Sequence, residues 1–428
     1  MLTDKTISVY GMGYIGLPTA TMIASKNYKV IGVDINNLAV ETINRGEIHI
    51  IEPGLEELVS KVVSSGNLRA TLQPEESDIF IIAVPTPFIG EASDNSQPNP
   101  DLSFIKKAIT SISTVLKKDD LIILESTSPA GTTEKISEWL QNLRKDLTMP
   151  HAYGDSSDIR IAYCPERVLP GNVITELIEN DRVIGGITDT CSKKAEELYK
   201  IFVKGRCHIT NSRTAEMTKL TENASRDVSI AFANELSIIC DKLDINIWEL
   251  IKLSNLHPRV NILNPGAGVG GHCIAVDPWF IVSENPEDSN LISMARRVND
   301  NKPEWVLNKI KSAINKHPKK GRKNILCLGI SFKPDIDDLR ESPAKLIVEK
   351  LTNQSLGDIL ITEPNINELP PSIKNHAKLI NLEDGLKLAD IIVVLVNHSS
   401  FNKNSIKICK DQILVDVCGA TDEFQFKK

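Results

Sequence analysis

Residues 6–16 read Thr6-Ile7-Ser8-Val9-Tyr10-Gly11-Met12-Gly13-Tyr14-Ile15-Gly16. A short apolar, β-branched run ends in a GxGxxG turn, and Leu17 to Ser25 continues with helical composition. In such a strand–turn–helix, Gly11 allows the tight turn, Gly13 lets backbone approach a pyrophosphate, and Gly16 lets the helix pack on the strand. The N–H groups that open the helix then face the phosphates. Gly11, Gly13, Tyr14, Ile15 and Gly16 are therefore candidate cofactor-binding residues. Lys29 to Asp34 returns as a second strand, and Asp34 stands 18 residues after Gly16. A carboxylate there accepts hydrogen bonds from ribose hydroxyls and repels a 2′-phosphate, which favours NAD over NADP. A plain structural turn followed by an unrelated acid is the competing reading.

Working outward, Asp78–Val84, Leu121–Glu125 and Arg160–Tyr163 read as further buried strands, alternating with helical patterns. From Thr214 to about Leu243 the small and apolar residues Met217, Leu220, Ala224, Val228, Ala231, Phe232, Leu236 and Ile239 recur at helical spacing. Such a helix serves as a dimer-forming spine or packs only within its own subunit, and the spacing allows both. After Lys323 the first block is echoed in order: ISVYGMG by NILCLGI, KVIGVDIN by DILITEPN, DIFIIAVPT by ADIIVVLVNH, and LIILEST by QILVDVCG. The second copy lacks GxGxxG. Its turn is Gly329-Ile330-Ser331 followed by Phe332-Lys333-Pro334, so a phosphate there calls for side-chain charge, with Lys333 the obvious donor. The expected fold is α/β: two Rossmann-like doubly wound parallel-sheet domains joined by a central helical domain with a long helix. The expected boundaries are 1–212, 213–312 and 313–428.

The chain has 428 residues, 49 Lys+Arg against 56 Asp+Glu, and a formal charge of −7. With 41% hydrophobic and 25% charged residues it is neither disordered nor a basic nucleic-acid coat, and no nucleic-acid or membrane partner is expected. MLTDKTISVYGMG lacks the apolar stretch of a signal peptide. The longest apolar runs, Ile79 to Val84 and Ile391 to Val396, fall far short of the ~20 residues of a membrane span. Eight cysteines stand at 164, 191, 207, 240, 273, 327, 409 and 418, with no CxxC pair, so no metal site is expected and a reducing cytoplasm is the economical location.

Val84-Pro85-Thr86-Pro87 and Glu125-Ser126-Thr127-Ser128 place hydroxyls just beyond strand ends, where open α/β sheets bind ligands. Each is also an ordinary turn or helix cap, and only the shared rim raises Thr86 and Thr127 above that. Gly266-Ala267-Gly268-Val269-Gly270-Gly271-His272-Cys273 sets four glycines before a cysteine and closes at Asp277. Glycines let backbone wrap a ligand and leave the thiol accessible. A nucleophilic Cys273 and a glycine-rich structural turn both satisfy this spacing, and His272 receives no role. Lys219, Asn223 and Arg226 share one helix face, a pattern that a solvated stripe also produces. Glu166, in Tyr163-Cys164-Pro165-Glu166-Arg167-Val168, follows a strand end and is ambiguous alone.

Together these segments resemble the nucleotide-sugar 6-dehydrogenase family, which includes UDP-glucose and GDP-mannose dehydrogenases. The similarity runs end to end, through GMGYIGLPTA, VIGVDIN, INRGEIHIIEPGL, IAVPTPF, LESTSPAGTTEK, IAYCPERVLPG, NSRTAEMTKLTEN, AFANELS, HPRVNILNPGAGVGGHCIAVDPWF and FKPDIDDLRESP. It is closest to the bacterial branch that oxidises UDP-N-acetyl-D-mannosamine for enterobacterial common antigen and related surface polysaccharides. The resemblance implies oxidation of a sugar C6 alcohol to a carboxylate with two NAD⁺. Cys273 is implied as the thiolate that captures the aldehyde as a thiohemiacetal and then carries the thioester. Lys219 is implied as base or oxyanion-stabilising cation, Asn223 as its assistant, Asp277 as holder of a water or tuner of Lys219, and Glu166 as activator of the hydrolytic water. Arg167, Val168, Arg226, His257 and Gly270 map to substrate contacts, and Phe332 and Lys333 to the grip on the UDP-sugar. Arg340 maps beside NAD, and Arg259 to a residue reaching the partner site of a homodimer.

One position departs from the family: Asp416-Val417-Cys418-Gly419 carries a cysteine where a basic residue usually contacts the nucleotide sugar. Within the class, UDP-glucose or another UDP-HexNAc is the alternative substrate, and an NAD-binding scaffold without turnover is the non-catalytic alternative. A short-chain epimerase needs Tyr-xxx-Lys, and none of Tyr10, Tyr14, Tyr28, Tyr153, Tyr163 or Tyr199 has lysine four residues later.

Overall fold

The structure is a computed structural model that describes residues 5–50, 52–90, 98–169, 171–271, 273–401 and 405–421. His272, in the glycine-rich stretch, lies outside the described residues. The chain forms two compact units, Met1–Glu222 with Trp279–Asn285, and Asn223–Pro278 with Pro286–Lys428.

The first unit is built on strands β1 (Thr6–Tyr10), β2 (Lys29–Val33), β3 (Leu68–Thr71), β4 (Ile79–Ile82), the short antiparallel pair β5 (Phe88–Ile89) and β6 (Asn99–Pro100), β7 (Leu121–Leu124), β8 (Arg160–Tyr163), β9 (Arg182–Gly186) and β10 (Cys207–Asn211). Eight of them form one sheet in the order β10-β9-β8-β7-β4-β1-β2-β3. β4 and β7 are wholly buried apolar runs, as strands covered on both faces must be. One face packs Leu17, Ile23, Val59 and Leu198, the other Ile105, Ile109, Ile136 and Leu140. Each such side chain contributes roughly 1.5–3 kcal/mol on burial. The sheet departs from the all-parallel expectation at one joint: β8 and β9 pair antiparallel. The connection between them re-enters the sheet at the end where β8 finishes, so no crossover is required.

The second unit carries β11 (Asn324–Leu328), β12 (Asp358–Thr362), β13 (Ala377–Leu379), β14 (Ile391–Val394) and β15 (Ile413–Asp416), all parallel, in the order β13-β12-β11-β14-β15. The echo seen in the sequence is physical. Gly11 has φ +89° and its N–H donates to Val33 O at 2.8 Å, while Gly329 has φ +83° and its N–H donates to Thr362 O at 2.9 Å. Both glycines turn the chain out of a first strand where a Cβ would be strained. The long helix spans Ser212–Lys242. A second long helix, Asn290–Lys316, contains Pro303.

Candidate active site

In the first unit the glycine turn matches its expected local geometry. A Cβ at Gly16 would collide with the Gly11 carbonyl oxygen, and one at Gly11 would lie 2.7 Å from Ala83 O, so both positions exclude side chains. A Cβ at Gly13 would meet nothing within 4 Å, which leaves a bare backbone open to a ligand. The helix Gly16–Ala24 has no side-chain cap at its N-terminus, and its first turn closes on the backbone, Leu17 N–H donating to Gly13 O at 3.1 Å and Thr19 N–H to Ile15 O at 3.2 Å. Asp34, half-buried, accepts Met12 N–H at 2.7 Å and Asn36 N–H at 2.9 Å, which ties the second strand end to the glycine turn. At the neighbouring strand ends, the Thr86 hydroxyl donates to Thr127 O at 2.6 Å, bringing together the two segments singled out for their hydroxyls. This cradle fits a dinucleotide: two forbidden side chains, one open glycine, an uncapped helix and a carboxylate.

Glu166 is buried past the end of β8. Arg182 Nη1 donates to its Oε2 at 2.9 Å and Arg167 N–H to its Oε1 at 2.6 Å. The Arg167 side chain turns to Glu222, in a two-point ion pair at 2.6 and 3.1 Å. Val168 is half-buried against the core. Lys219 is half-buried on the long helix, one turn before Asn223, and Arg226 is exposed.

In the second unit, Cys273 is exposed and its carbonyl accepts N–H groups from Val276 at 3.1 Å and Asp277 at 2.8 Å, so it sits directly before the helix Asp277–Glu284. Asp277 is buried and accepts from Asn223 Nδ2 at 2.5 Å. The glycines before Cys273 serve protein packing as well as access. A Cβ at Gly270 would collide with Glu341 O and lie 2.8 Å from Pro343, and one at Gly271, φ +82°, would lie 3.0 Å from the Phe332 ring. The run thus lies against the segment that carries Phe332 and Lys333, a close approach that accounts for the glycines apart from any ligand. Its start is held by Asn234, whose Oδ1 accepts Gly266 N–H at 3.0 Å and whose Nδ2 donates to Asn299 at 2.9 Å. Asn299 in turn binds Asp227, the buried partner of Arg296 at 2.5 Å.

Lys333 is exposed and Phe332 half-buried. Arg340 is exposed and pairs with Asp338 at 2.6 Å. His257 and Arg259 are exposed, with Arg259 N–H on His257 Nδ1 at 3.3 Å. Cys418 lies with its sulfur 3.7 Å from both Val394 O and an Asp416 carboxylate oxygen, and burial followed by that carboxylate pushes its thiol well up. Burial likewise pushes the Cys164 and Cys327 thiols up to about 12. Such thiols are poor nucleophiles. Cys409 is exposed like Cys273.

Several site-forming residues carry no local sequence signal: Arg182, Glu125 and Tyr199 around Glu166, and the Asp227–Asn299–Asn234 chain behind the glycine run. Only the acid closing the apolar strand Leu121–Leu124 hints at one of them. Among the described residues no group of three or more His, Cys, Asp or Glu gathers as a metal site, and no helix is long and apolar enough to cross a membrane.

Comparison with known proteins agrees with this arrangement. The UDP-glucose/GDP-mannose dehydrogenase family matches in three consecutive parts: its NAD binding domain at residues 5–203, its central domain at 213–301 and its UDP binding domain at 326–423. A UDP-N-acetyl-D-mannosamine dehydrogenase of Campylobacter jejuni is 59% identical over 412 residues, covering 95% of this chain and 98% of its own. An NDP-N-acetyl-D-galactosaminuronic acid dehydrogenase of Ralstonia nicotianae is 56% identical over 415 residues, covering 97% and 96%. The solved structure of a UDP-D-ManNAc dehydrogenase from Pyrococcus horikoshii superposes with a TM-score of 0.85 at 39% identity, covering 98% of this chain and 97% of that one. The open glycine cradle and these end-to-end matches place the chain in the UDP-glucose/GDP-mannose dehydrogenase family, the NAD-dependent nucleotide-sugar dehydrogenases.

Proposed function

We propose that this enzyme oxidises C6 of UDP-N-acetyl-D-mannosamine to UDP-N-acetyl-D-mannosaminuronate through a covalent cysteine intermediate. The observation that carries the mechanism is the exposed Cys273, set at a helix start behind a backbone that only glycine permits. The similarity to the Campylobacter enzyme supports the sugar. The overall conversion is R–CH2OH + 2 NAD⁺ + H2O → R–COO⁻ + 2 NADH + 3 H⁺. Bound NAD supplies the hydride acceptor for both oxidations.

Gly11, Gly13, Tyr14, Ile15 and Gly16 hold the pyrophosphate by backbone, Asp34 takes the ribose, and Thr86, Thr127 and Arg340 complete the cofactor contacts. Lys219 takes the C6 hydroxyl proton or stabilises the oxyanions, with Asn223 assisting and Asp277 fixing Asn223 or a water. The Cys273 thiolate adds to the aldehyde carbon to give the thiohemiacetal, and the second oxidation leaves a thioester. Glu166 takes a proton from water, the water oxygen bonds to the acyl carbon, and the C–S bond breaks to return the thiolate. Arg167, Val168, Arg226, His257, Gly270, Phe332 and Lys333 bind the UDP-sugar, Lys333 carrying the phosphate charge that Cys418 does not supply. Residues 1–212 bind the cofactor, 213–312 catalyse and dimerise, and 313–428 bind the UDP-sugar. Arg259 reaches the partner site of a homodimer. The enzyme works in the cytoplasm and feeds a surface polysaccharide of the enterobacterial common antigen type.

Cys273→Ser tests the mechanism: uronate formation is lost while NAD binding persists. Uronate at the wild-type rate from that variant overturns it. The Ralstonia relative favours a second reading, an N-acetyl-D-galactosamine nucleotide. NADH formation is therefore compared with UDP-N-acetyl-D-mannosamine, UDP-N-acetyl-D-galactosamine and UDP-glucose, and activity with either of the latter two alone overturns the choice of sugar.

A further inference from the structure

Around Glu166 the first unit buries charged groups that none of these steps uses. Arg182, at the start of β9, is 2% exposed and is bound to Glu166 at 2.9 Å. Its guanidinium lies 5.2 Å from the centre of the Tyr199 ring. The buried Tyr199 hydroxyl donates to Glu125 Oε1 at 2.6 Å, and Thr19 Oγ1 stands 3.5 Å from Glu125 Oε2. Glu125 follows β7, Tyr199 ends the helix Asp189–Tyr199 and Thr19 lies in Gly16–Ala24, so separate elements converge on one enclosed carboxyl. Cys164 is the remaining titratable group of the cluster, and its thiol stays neutral. The enclosed set is therefore two carboxyl groups and one guanidinium.

One guanidinium balances one carboxylate. A second ionised carboxylate in the same dry volume is uncompensated and costs several kcal/mol, so the set favours holding a proton. The geometry points to Glu125 as a positioning residue that sets the proton affinity of Glu166 through their shared cation, Arg182. The inference rests on the proposed role of Glu166 as activator of the hydrolytic water. With Glu125 protonated, Arg182 serves Glu166 alone. Once Glu125 ionises, two negative charges face the same cation, and Glu166 draws a proton from water more strongly. Burial and then the Glu166 charge lift the Glu125 carboxyl to about 7, against the opposing pull of Arg182, Tyr199 and Thr19. The exchange therefore falls within the working pH range.

E125Q retains the shape and the acceptor for Tyr199 but cannot ionise. Single-turnover uronate release from UDP-N-acetyl-D-mannosamine, with NAD⁺ in excess, is followed for wild type and E125Q from about pH 6 to about 9. The expected result is a wild-type-to-variant rate ratio that rises by about threefold or more across this range. A ratio constant with pH overturns the inference, because a purely structural defect slows the enzyme equally at every pH. Should E125Q fail to fold, the infrared carbonyl band of the protonated carboxyl decides. In the wild type it must disappear between about pH 5 and about 9, and in Tyr199→Phe at higher pH. A band that does not titrate, or that Tyr199→Phe leaves in place, overturns the inference. Wild-type enzyme releasing no uronate overturns the proposed function as well, whereas release at an unchanging ratio overturns this inference alone.

Discussion

Asp34 and Glu363 hold the same station in the two sheets. Each follows the strand beside the glycine-bearing one and accepts the N–H of the residue after that glycine: Met12 to Asp34 at 2.7 Å, Ile330 to Glu363 at 2.8 Å. Each also accepts the N–H two residues on, from Asn36 at 2.9 Å and from Asn365 at 3.3 Å. Asp34 is half-buried, whereas Glu363 is enclosed and meets the fully buried His398 at 3.2 Å. One fold position has thus become an accessible acid in the first copy and an enclosed, hydrogen-bonded one in the second.

Asp34→Ala removes a charged acceptor from the glycine turn and the expected partner of the ribose. A charge-assisted hydrogen bond contributes roughly 1.5–3 kcal/mol, so the KM for NAD is expected to rise about tenfold or more. Activity with NADP is expected to stay level or improve. Steady-state kinetics with both cofactors checks this, and an unchanged KM for NAD refutes it.

Glu363 gives the second unit an acid-sensitive anchor. Burial pushes its carboxyl up, but hydrogen bonds from His398 and from the Ile330 and Ser331 N–H groups outweigh burial, and the group lies below its ordinary value. Because the folded form binds the proton more weakly, the stabilisation is present above the unfolded value of about 4.3 and is lost as pH falls through the lower folded one. Glu363→Gln is expected to cost about 2–4 kcal/mol near neutrality, and the cost should shrink as the pH approaches about 3. Denaturant titrations at the two pH values measure it.

Gly270→Ala drives a methyl group into Glu341 O, Pro343 and Phe332. Overpacking against backbone is expected to cost about 1–3 kcal/mol and to displace the Phe332–Lys333 segment. Thermal melting should show the loss, with the KM for the UDP-sugar raised. Gly266→Ala is the control, because its Cβ would meet nothing within 4 Å.

Lys302 is a buried amine on the second long helix, bonded to Ser237 and 4.0 Å from the Trp305 ring centre. Desolvation is the largest influence and brings its pKa down to about 7. Between that value and the unfolded value of about 10.4 the unfolded chain binds the extra proton, so stability rises with pH across the window. Lys302→Met removes the penalty. It is expected to raise the melting temperature at about pH 7 and to raise it less at about pH 9.5.

Much of this was legible in the chain because it rests on short-range rules. β1 (Thr6–Tyr10) and β8 (Arg160–Tyr163) match their sequence readings, and the long helix begins two residues before the expected Thr214. The internal echo was visible because strand pattern and turn glycines are local. The strand direction of β9 was not legible, since periodicity is the same read either way. Asn290–Lys316 was hidden by Pro303, a residue that normally stops a helix. At the site, Cys273 and the glycines announce themselves by composition. Glu125, Arg182 and Tyr199 meet only through tertiary folding, across 74 residues for the Tyr199–Glu125 bond.

The reversed joint between β8 and β9 has a chemical consequence. Ala162 faces Gly186 and Tyr163 faces Gly185. Carried three residues further, the same register sets Glu166 opposite Arg182. In a sheet running one way throughout, the ligand-binding rim receives only residues that end strands, and one that opens a strand emerges at the far edge. Here a single about-face sends a strand's first residue to that rim, so the guanidinium arrives on rigid sheet instead of a loop. Topology, as much as residue choice, supplies the counter-charge for Glu166.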